Sequence, residues 1–331
     1  MSQSNLFSLL LLAVSASAAP CTTAGPACTE WISLGGSARS LVYRTYPLTG
    51  KNENITRALV MIHGAGRDAD NYFRTTLAAG FLAGALENTI ILSPRFASNE
   101  GRGCHDTLAE NEVNWSCGGD SWRSGGVSVN HKELNSYNFA DEILRKLADK
   151  KSFPNLKMIV VAGHSAGGQF VTRYEMANKV DGTIGVPVAY VVANPSSYAY
   201  PDGGRPAAEG SFGPFPDARN CTTYNRWPYG MESRTGYTAD ISDEQLKSQL
   251  AARPVTYLLG EIDILPLGGF DSSCPAMAQG PTRLARGQAF HKLLVENLKA
   301  RHKLTVVPIC GHNARCMFTA EIALPIIFPK P

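Results

Sequence analysis

Short apolar runs rich in β-branched residues recur along the chain, each closed by turn residues: Ala58–Ile62, Thr89–Leu92, Met158–Ala162, Ala189–Ala193, Val255–Leu259 and Leu304–Val307. Runs that stay apolar instead of alternating are buried on both faces, as strands are in a parallel sheet covered by helices. Between them the period changes. Tyr137–Lys150 places Phe139, Ile143, Leu144 and Leu147 on one stripe, and Pro281–Arg301 places Leu284, Phe290, Leu293, Leu294 and Leu298 on another. That spacing predicts amphipathic helices. Trp31–Tyr46 reads as two opening strands, paired antiparallel. Strand alternating with helix predicts an α/β fold, a mostly parallel central sheet flanked by helices.

Two stretches break the alternation, about 97–130 and about 195–251; both are rich in glycine, aromatic residues and cysteine. Loops beyond roughly 15 residues are usually functional or disordered. Their aromatics and cysteines favour ordered insertions, forming a rim or lid on one domain. Trp115, Trp122, Tyr198, Tyr200, Tyr224, Trp227 and Tyr229 are expected mostly to pack these insertions against the sheet. At least one of Trp122, Tyr198 and Trp227 is expected to touch substrate.

The amino terminus has a different pattern. Leu6–Val14 is a short apolar run followed by Ala16-Ser17-Ala18 and then Ala19. This is the layout of a secretory signal with a small-residue cleavage site, although no Lys or Arg precedes the run. Residues 1–18 therefore read as a signal peptide and 19–331 as the mature domain. The run is too short to cross a bilayer, and no later segment is long and apolar enough, so no membrane span is expected. Cysteine usage agrees: all eight cysteines lie beyond the cleavage site, and an even count in an exported chain reads as disulfides. Cys21–Cys28, Cys104–Cys117, Cys221–Cys274 and Cys310–Cys316 is the simplest pairing. Asn54, Asn114 and Asn220 begin sequons. The expected location is extracellular.

Composition narrows the class. The chain has 331 residues, 44% hydrophobic and 18% charged, with a net charge of +3 and no basic run. That suits one sizeable core and gives no reason to expect nucleic acid as a partner. There is no Gly-x-Gly-x-x-Gly, P-loop, His-Glu-x-x-His or Cys-x-x-Cys pattern, so neither cofactor nor metal is expected.

The informative segment is Gly163-His164-Ser165-Ala166-Gly167, directly after an apolar run and before a helix-compatible stretch. A serine at a sharp strand-to-helix turn exposes its Oγ, needs glycine on both flanks, and leaves the next N–H free for an oxyanion. Such a nucleophile needs a base, and the base an orienting acid, each after a later strand. Val255–Leu259 leads to Gly260-Glu261-Ile262-Asp263, and Leu304–Val307 leads to Gly311-His312. His312 is the candidate base and Asp263 the candidate acid, with Glu261 and Asp271 as rivals. His164 adjoins the nucleophile and is expected to point elsewhere. After Ala58–Ile62 comes His63-Gly64-Ala65-Gly66, a turn able to present an N–H to an oxyanion. The N–H groups of Ala65 and Ala166 are the candidate donors, with Gly66 the alternative to Ala65. His63 reads as a structural histidine beneath that loop.

On His63-Gly-Ala-Gly66, Gly163-His-Ser-Ala-Gly167, Gly260-Glu-Ile-Asp263 and Gly311-His312, the chain resembles the α/β-hydrolase superfamily over nearly all of 19–331. Within it, the signal, cysteines and size look like secreted serine esterases of feruloyl-esterase and polyester-depolymerase type. Ala193-Asn-Pro-Ser-Ser-Tyr198, Asp271-Ser-Ser-Cys274 and Gln279–Arg286 look like those of a microbial branch. The resemblance implies cleavage of carboxylic esters, small or polymer-linked, through an acyl-enzyme. A secreted peptidase of the same fold and a non-catalytic binding protein are the alternatives.

Overall fold

The computed structural model describes residues 19–101, 103–118 and 121–330. The expected signal peptide, 1–18, lies outside the described residues. The chain opens with β1 (Thr29–Gly35), β2 (Ala38–Arg44) and β3 (Arg57–Ile62), then α1 (Ala69–Leu82), β4 (Thr89–Pro94) and α2 (Ser136–Ala148). It continues with β5 (Met158–His164), α3 (Ala166–Ala177), β6 (Val188–Ala193), a small hairpin of β7 (Gly204–Pro206) and β8 (Phe212–Pro214), and α4 (Asp243–Ala252). It closes with β9 (Val255–Gly260), α5 (Cys274–Met277), α6 (Arg283–Asn297), β10 (Lys303–Val307), α7 (Ala314–Thr319) and α8 (Leu324–Ile327).

Eight strands form one sheet in the order β1-β2-β4-β3-β5-β6-β9-β10. The β1–β2 and β2–β4 pairs are antiparallel, and every other pair is parallel. All six apolar runs became strands of this sheet. Its middle strands bury both faces: along β3, Ala58, Val60 and Ile62 pack toward α2, α3, α4 and α6, whereas Leu59 and Met61 pack toward α1, α7 and α8. Side chains that alternate between two covered faces leave no polar position to mark them.

The helices follow their caps and stripes. Asn135 and Asn138 close a reciprocal cap on α2, and Ser242, Thr282 and Asn313 cap α4, α6 and α7. A side-chain oxygen there satisfies a first-turn N–H that has no partner within the helix. Helix α4 is a departure from expectation, because it lies inside the stretch read as an insertion. Only Leu246 and Leu250 of its ten residues are buried. One pair four residues apart is too sparse a stripe to stand out.

The two insertions are packed, not loose. Trp115 and Trp122 are buried with Phe96, Phe139 and Phe170, and Trp115 Nε1 donates to Ser40 Oγ at 3.2 Å. Trp227 Nε1 donates to Ser124 O at 3.0 Å, joining one insertion to the other. Trp122, Tyr198 and Trp227 are buried among core side chains and leave little surface open to a substrate. All eight cysteines pair in the near-neighbour pattern. Asn54 and Asn220 are exposed. Asn114 is buried, with its Nδ2 donating to Asn99 Oδ1, and so has no room for a sugar.

Candidate active site

The site assembles at the carboxyl ends of the parallel strands. Strand β5 turns into α3 through Ser165, whose backbone adopts φ 60° and ψ −120°. A non-glycine residue held there stores about 1–3 kcal/mol of strain, which the surrounding packing must sustain. The flanking glycines make the turn possible. A Cβ on Gly163 would lie 2.4 Å from the Gly167 backbone, and one on Gly167 would lie 2.2 Å from Ile62 O. Ser165 N donates to Ala193 O at 2.9 Å, fixing the turn to the end of β6. Helix α3 beyond it is buried on every side, which is why it shows no amphipathic stripe.

Three side chains from separate loops converge. Ser165 Oγ lies 2.9 Å from His312 Nε2, and His312 Nδ1 lies 2.8 Å from Asp263 Oδ2. With Nδ1–H donating to the carboxylate, Nε2 is left as the acceptor for the serine hydroxyl. Asp263 follows β9, is almost wholly buried, and takes a second contact on Oδ1 from Arg283 Nη1 at 3.3 Å. The rival carboxylates are occupied elsewhere. Glu261 Oε2 accepts from Ile309 N, and Asp271 accepts from Tyr229 Oη and Ser273 N.

The histidine loop is fixed from three directions. Asn194, at the end of β6 with φ 44°, accepts from Gly260 N at 2.7 Å and donates to Gly311 O at 3.2 Å. It thereby joins the loop that carries Asp263 to the loop that carries His312; asparagine tolerates this left-handed conformation better than most residues. Cys310–Cys316 closes the loop around His312. Behind the ring sits His164, buried, with its ring centroid 4.7 Å from that of His312. Burial, reinforced by His312 and Arg283, holds His164 well below the usual histidine range. Its Nδ1 is turned to Tyr72 Oη and away from the serine, as its place next to Ser165 suggests, while its ring packs on that of His312.

Opposite these groups is the loop after β3. Gly64 packs beside the serine, since a Cβ on it would lie 3.7 Å from Ser165 Cβ and 2.7 Å from Tyr72 Oη. Tyr72 Oη also bonds His164 Nδ1 at 3.0 Å. Ala65 is exposed in this loop, and its N–H donates to no acceptor among the described residues. Ala166 is the first residue of α3, where an N–H has no acceptor one turn back. His63 beneath them is wholly buried. Its Nδ1 donates to Gly64 O, its Nε2 accepts from Phe96 N, and burial pulls its pKa down to about 3. A neutral ring with one donor and one acceptor satisfies both bonds.

Sequence reasoning missed Arg283, Asn194 and Tyr72. Asn194 and Arg283 lie within two of the stretches that carry the resemblance, but nothing in their spacing says what they touch. On the loops that carry Asp263 and His312, Ile262, Ile264, Leu265, Leu267 and Ile309 are each at least half exposed.

The sequence profile of the Alpha/beta hydrolase family matches residues 59–321. The chain belongs to that family. Among solved structures it is similar to a poly(3-hydroxybutyrate) depolymerase from Bordetella parapertussis, with a TM-score of 0.60 and 22% identity over 88% of this chain and 84% of that one. It is also similar to poly(aspartic acid) hydrolase-1 from Sphingomonas sp. KT-1, with a TM-score of 0.61 and 22% identity over 90% of this chain and 97% of that one. No curated protein sequence matches it significantly. At this identity the two structures speak for the fold.

Proposed function

We propose that this α/β hydrolase is a secreted serine esterase that cleaves carboxylic esters through an acyl-enzyme. The observation that carries the reading is the continuous chain from Ser165 Oγ through His312 to Asp263, at 2.9 and 2.8 Å. His312 takes the Ser165 proton as Oγ attacks the ester carbonyl. Asp263 holds the ring in the required tautomer and stabilises its cation. The N–H groups of Ala65 and Ala166 receive the developing oxyanion, with the positive end of α3 behind it. Each such donor contributes about 2.7–4 kcal/mol to the transition state. His312 then passes its proton to the departing alcohol. Water, activated by the same ring, attacks the acyl-enzyme, and the carboxylic acid leaves with Ser165 restored.

The exposed aliphatic side chains on the Asp263 and His312 loops support an apolar acyl group, and one similar structure is named as the depolymerase of a polyester. Four disulfides support an oxidising, extracellular setting, and the apolar run at Leu6–Val14 supports export. The test is release of p-nitrophenol from acetyl-to-decanoyl esters, with poly(3-hydroxybutyrate) and poly(aspartic acid) alongside. Hydrolysis of the esters that disappears in Ser165→Ala supports the proposal. Activity on poly(aspartic acid) alone would move the reading to an amide-cleaving enzyme. A folded wild type inert to every substrate would leave a binding role.

A further inference from the structure

We infer that Arg283 is a positioning residue for the Ser165–His312–Asp263 relay, holding both the acid and the loop that lies along the histidine ring. The inference rests on the hydrolase reading above. Arg283 opens α6, and its side chain is completely buried. Nη1 approaches Asp263 Oδ1 at 3.3 Å, on the oxygen that His312 does not use. Nη2 donates to Leu267 O at 2.7 Å and Gly268 O at 3.0 Å. Nε donates to Ser196 Oγ at 2.8 Å, in the segment that follows β6. One planar fork therefore ties together the acid and the 267–268 loop, both beyond β9, and the segment that follows β6, a geometry that a lysine's point charge cannot reproduce.

The loop it holds matters because Gly268 lies against the base. A Cβ there would be 3.0 Å from His312 Cδ2, so the loop backbone bounds the edge of the imidazole. Without the guanidinium, Asp263 can rotate about its remaining bond and Leu267–Gly269 can move off the ring. The charge acts separately. A cation beside Asp263 offsets part of the carboxylate's pull on the proton held by His312, so its removal favours the protonated ring and moves the acidic limb of the rate profile upward. Arg283 thus acts in two ways, by geometry and by charge, and two substitutions separate them.

The test is the rate at which a fluorophosphonate labels Ser165, measured against pH on the full mature chain. It reads activation of the serine without assuming a substrate. In Arg283→Gln the plateau rate falls on the order of tenfold or more, and the acidic limb moves to higher pH. In Arg283→Lys the plateau also falls, but the limb stays at its wild-type position. Circular dichroism and thermal melting establish that each variant is folded. Folded variants with wild-type plateau and limb would overturn the assignment, as would loss of the fold in both, which would make the residue structural. A wild type that is not labelled at all would instead overturn the serine-hydrolase reading on which the inference rests.

Discussion

Two buried arginines stand on opposite sides of the site and do different work. Arg67 follows the loop after β3 and donates to Phe96 O, Trp115 O and Ser116 O at 2.5, 3.2 and 2.7 Å. Its side-chain hydrogen bonds all go to backbone carbonyls, in the first insertion and at Phe96 just before it, and its guanidinium lies 5.7 Å from the Trp122 ring centroid. Burial draws its pKa down to about 10, which still leaves it charged at neutral pH. Arg283 also donates to backbone carbonyls but adds a carboxylate, Asp263, whose charge works against the downward pull of burial. Arg67 fastens a wall. Arg283 fastens a wall and also meets Asp263, the acid of the proposed relay. A buried cation that meets only carbonyls contributes to architecture, whereas one that meets an ionised group of the site is coupled to the chemistry there.

The strongest disruption leaves both sides intact and removes the relay between them. Ser165→Ala or His312→Ala is expected to lower kcat by about 10⁶-fold, and Asp263→Asn by about 10⁴-fold. Steady-state hydrolysis of p-nitrophenyl butyrate measures all three, and an Asp263→Asn enzyme of wild-type activity would hand the acid role to Glu261 or Asp271. Next in size is the architectural arginine. Arg67→Met orphans three carbonyls and is expected to cost about 3 kcal/mol in urea unfolding. It should lower kcat without moving the acidic limb of the pH profile; a limb that moves as in Arg283→Gln would erase the distinction between the two arginines.

Smaller effects sharpen the same contrast. Cys310→Ser with Cys316→Ser opens a short loop and is expected to cost about 2 kcal/mol of stability, with kcat falling more than KM rises. A kcat identical to wild type would show that Asn194, His164 and the Gly268 loop suffice to hold His312. The last prediction concerns acid on the Arg67 side. The folded pKa of His63 is about 3 and the unfolded value is 6.5, so between those limits the unfolded chain binds the extra proton. Stability therefore rises with pH through this window and is lost as pH falls, by up to about 1.4 kcal/mol per unit from this group. His302, drawn down to about 4 by burial, adds a slope of the same sign. Urea midpoints from pH 4 to 7 should show a shallower dependence in His63→Gln than in wild type.

Much of this molecule could be read along the chain. The six apolar runs determined the sheet, because strands covered on both faces carry no polar marks and are short. The serine turn was legible because Gly163 and Gly167 stand where any side chain would strike backbone, a requirement that leaves its trace in residue type. Asp263 and His312 were legible as the residues just past later strands. Their meeting with Ser165 was not, since it depends on β5, β6, β9 and β10 lying in that order in one sheet. Tertiary structure alone decided that Trp122, Tyr198 and Trp227 fill the core, that Asn194 joins the acid and base loops, and that Arg283 lies on Asp263. Aromatic and arginine side chains reach far from their own backbone, and their partners are chosen by which segments pack together. Local spacing records what a turn or strand demands of its own residues; it carries no record of a contact made across the fold.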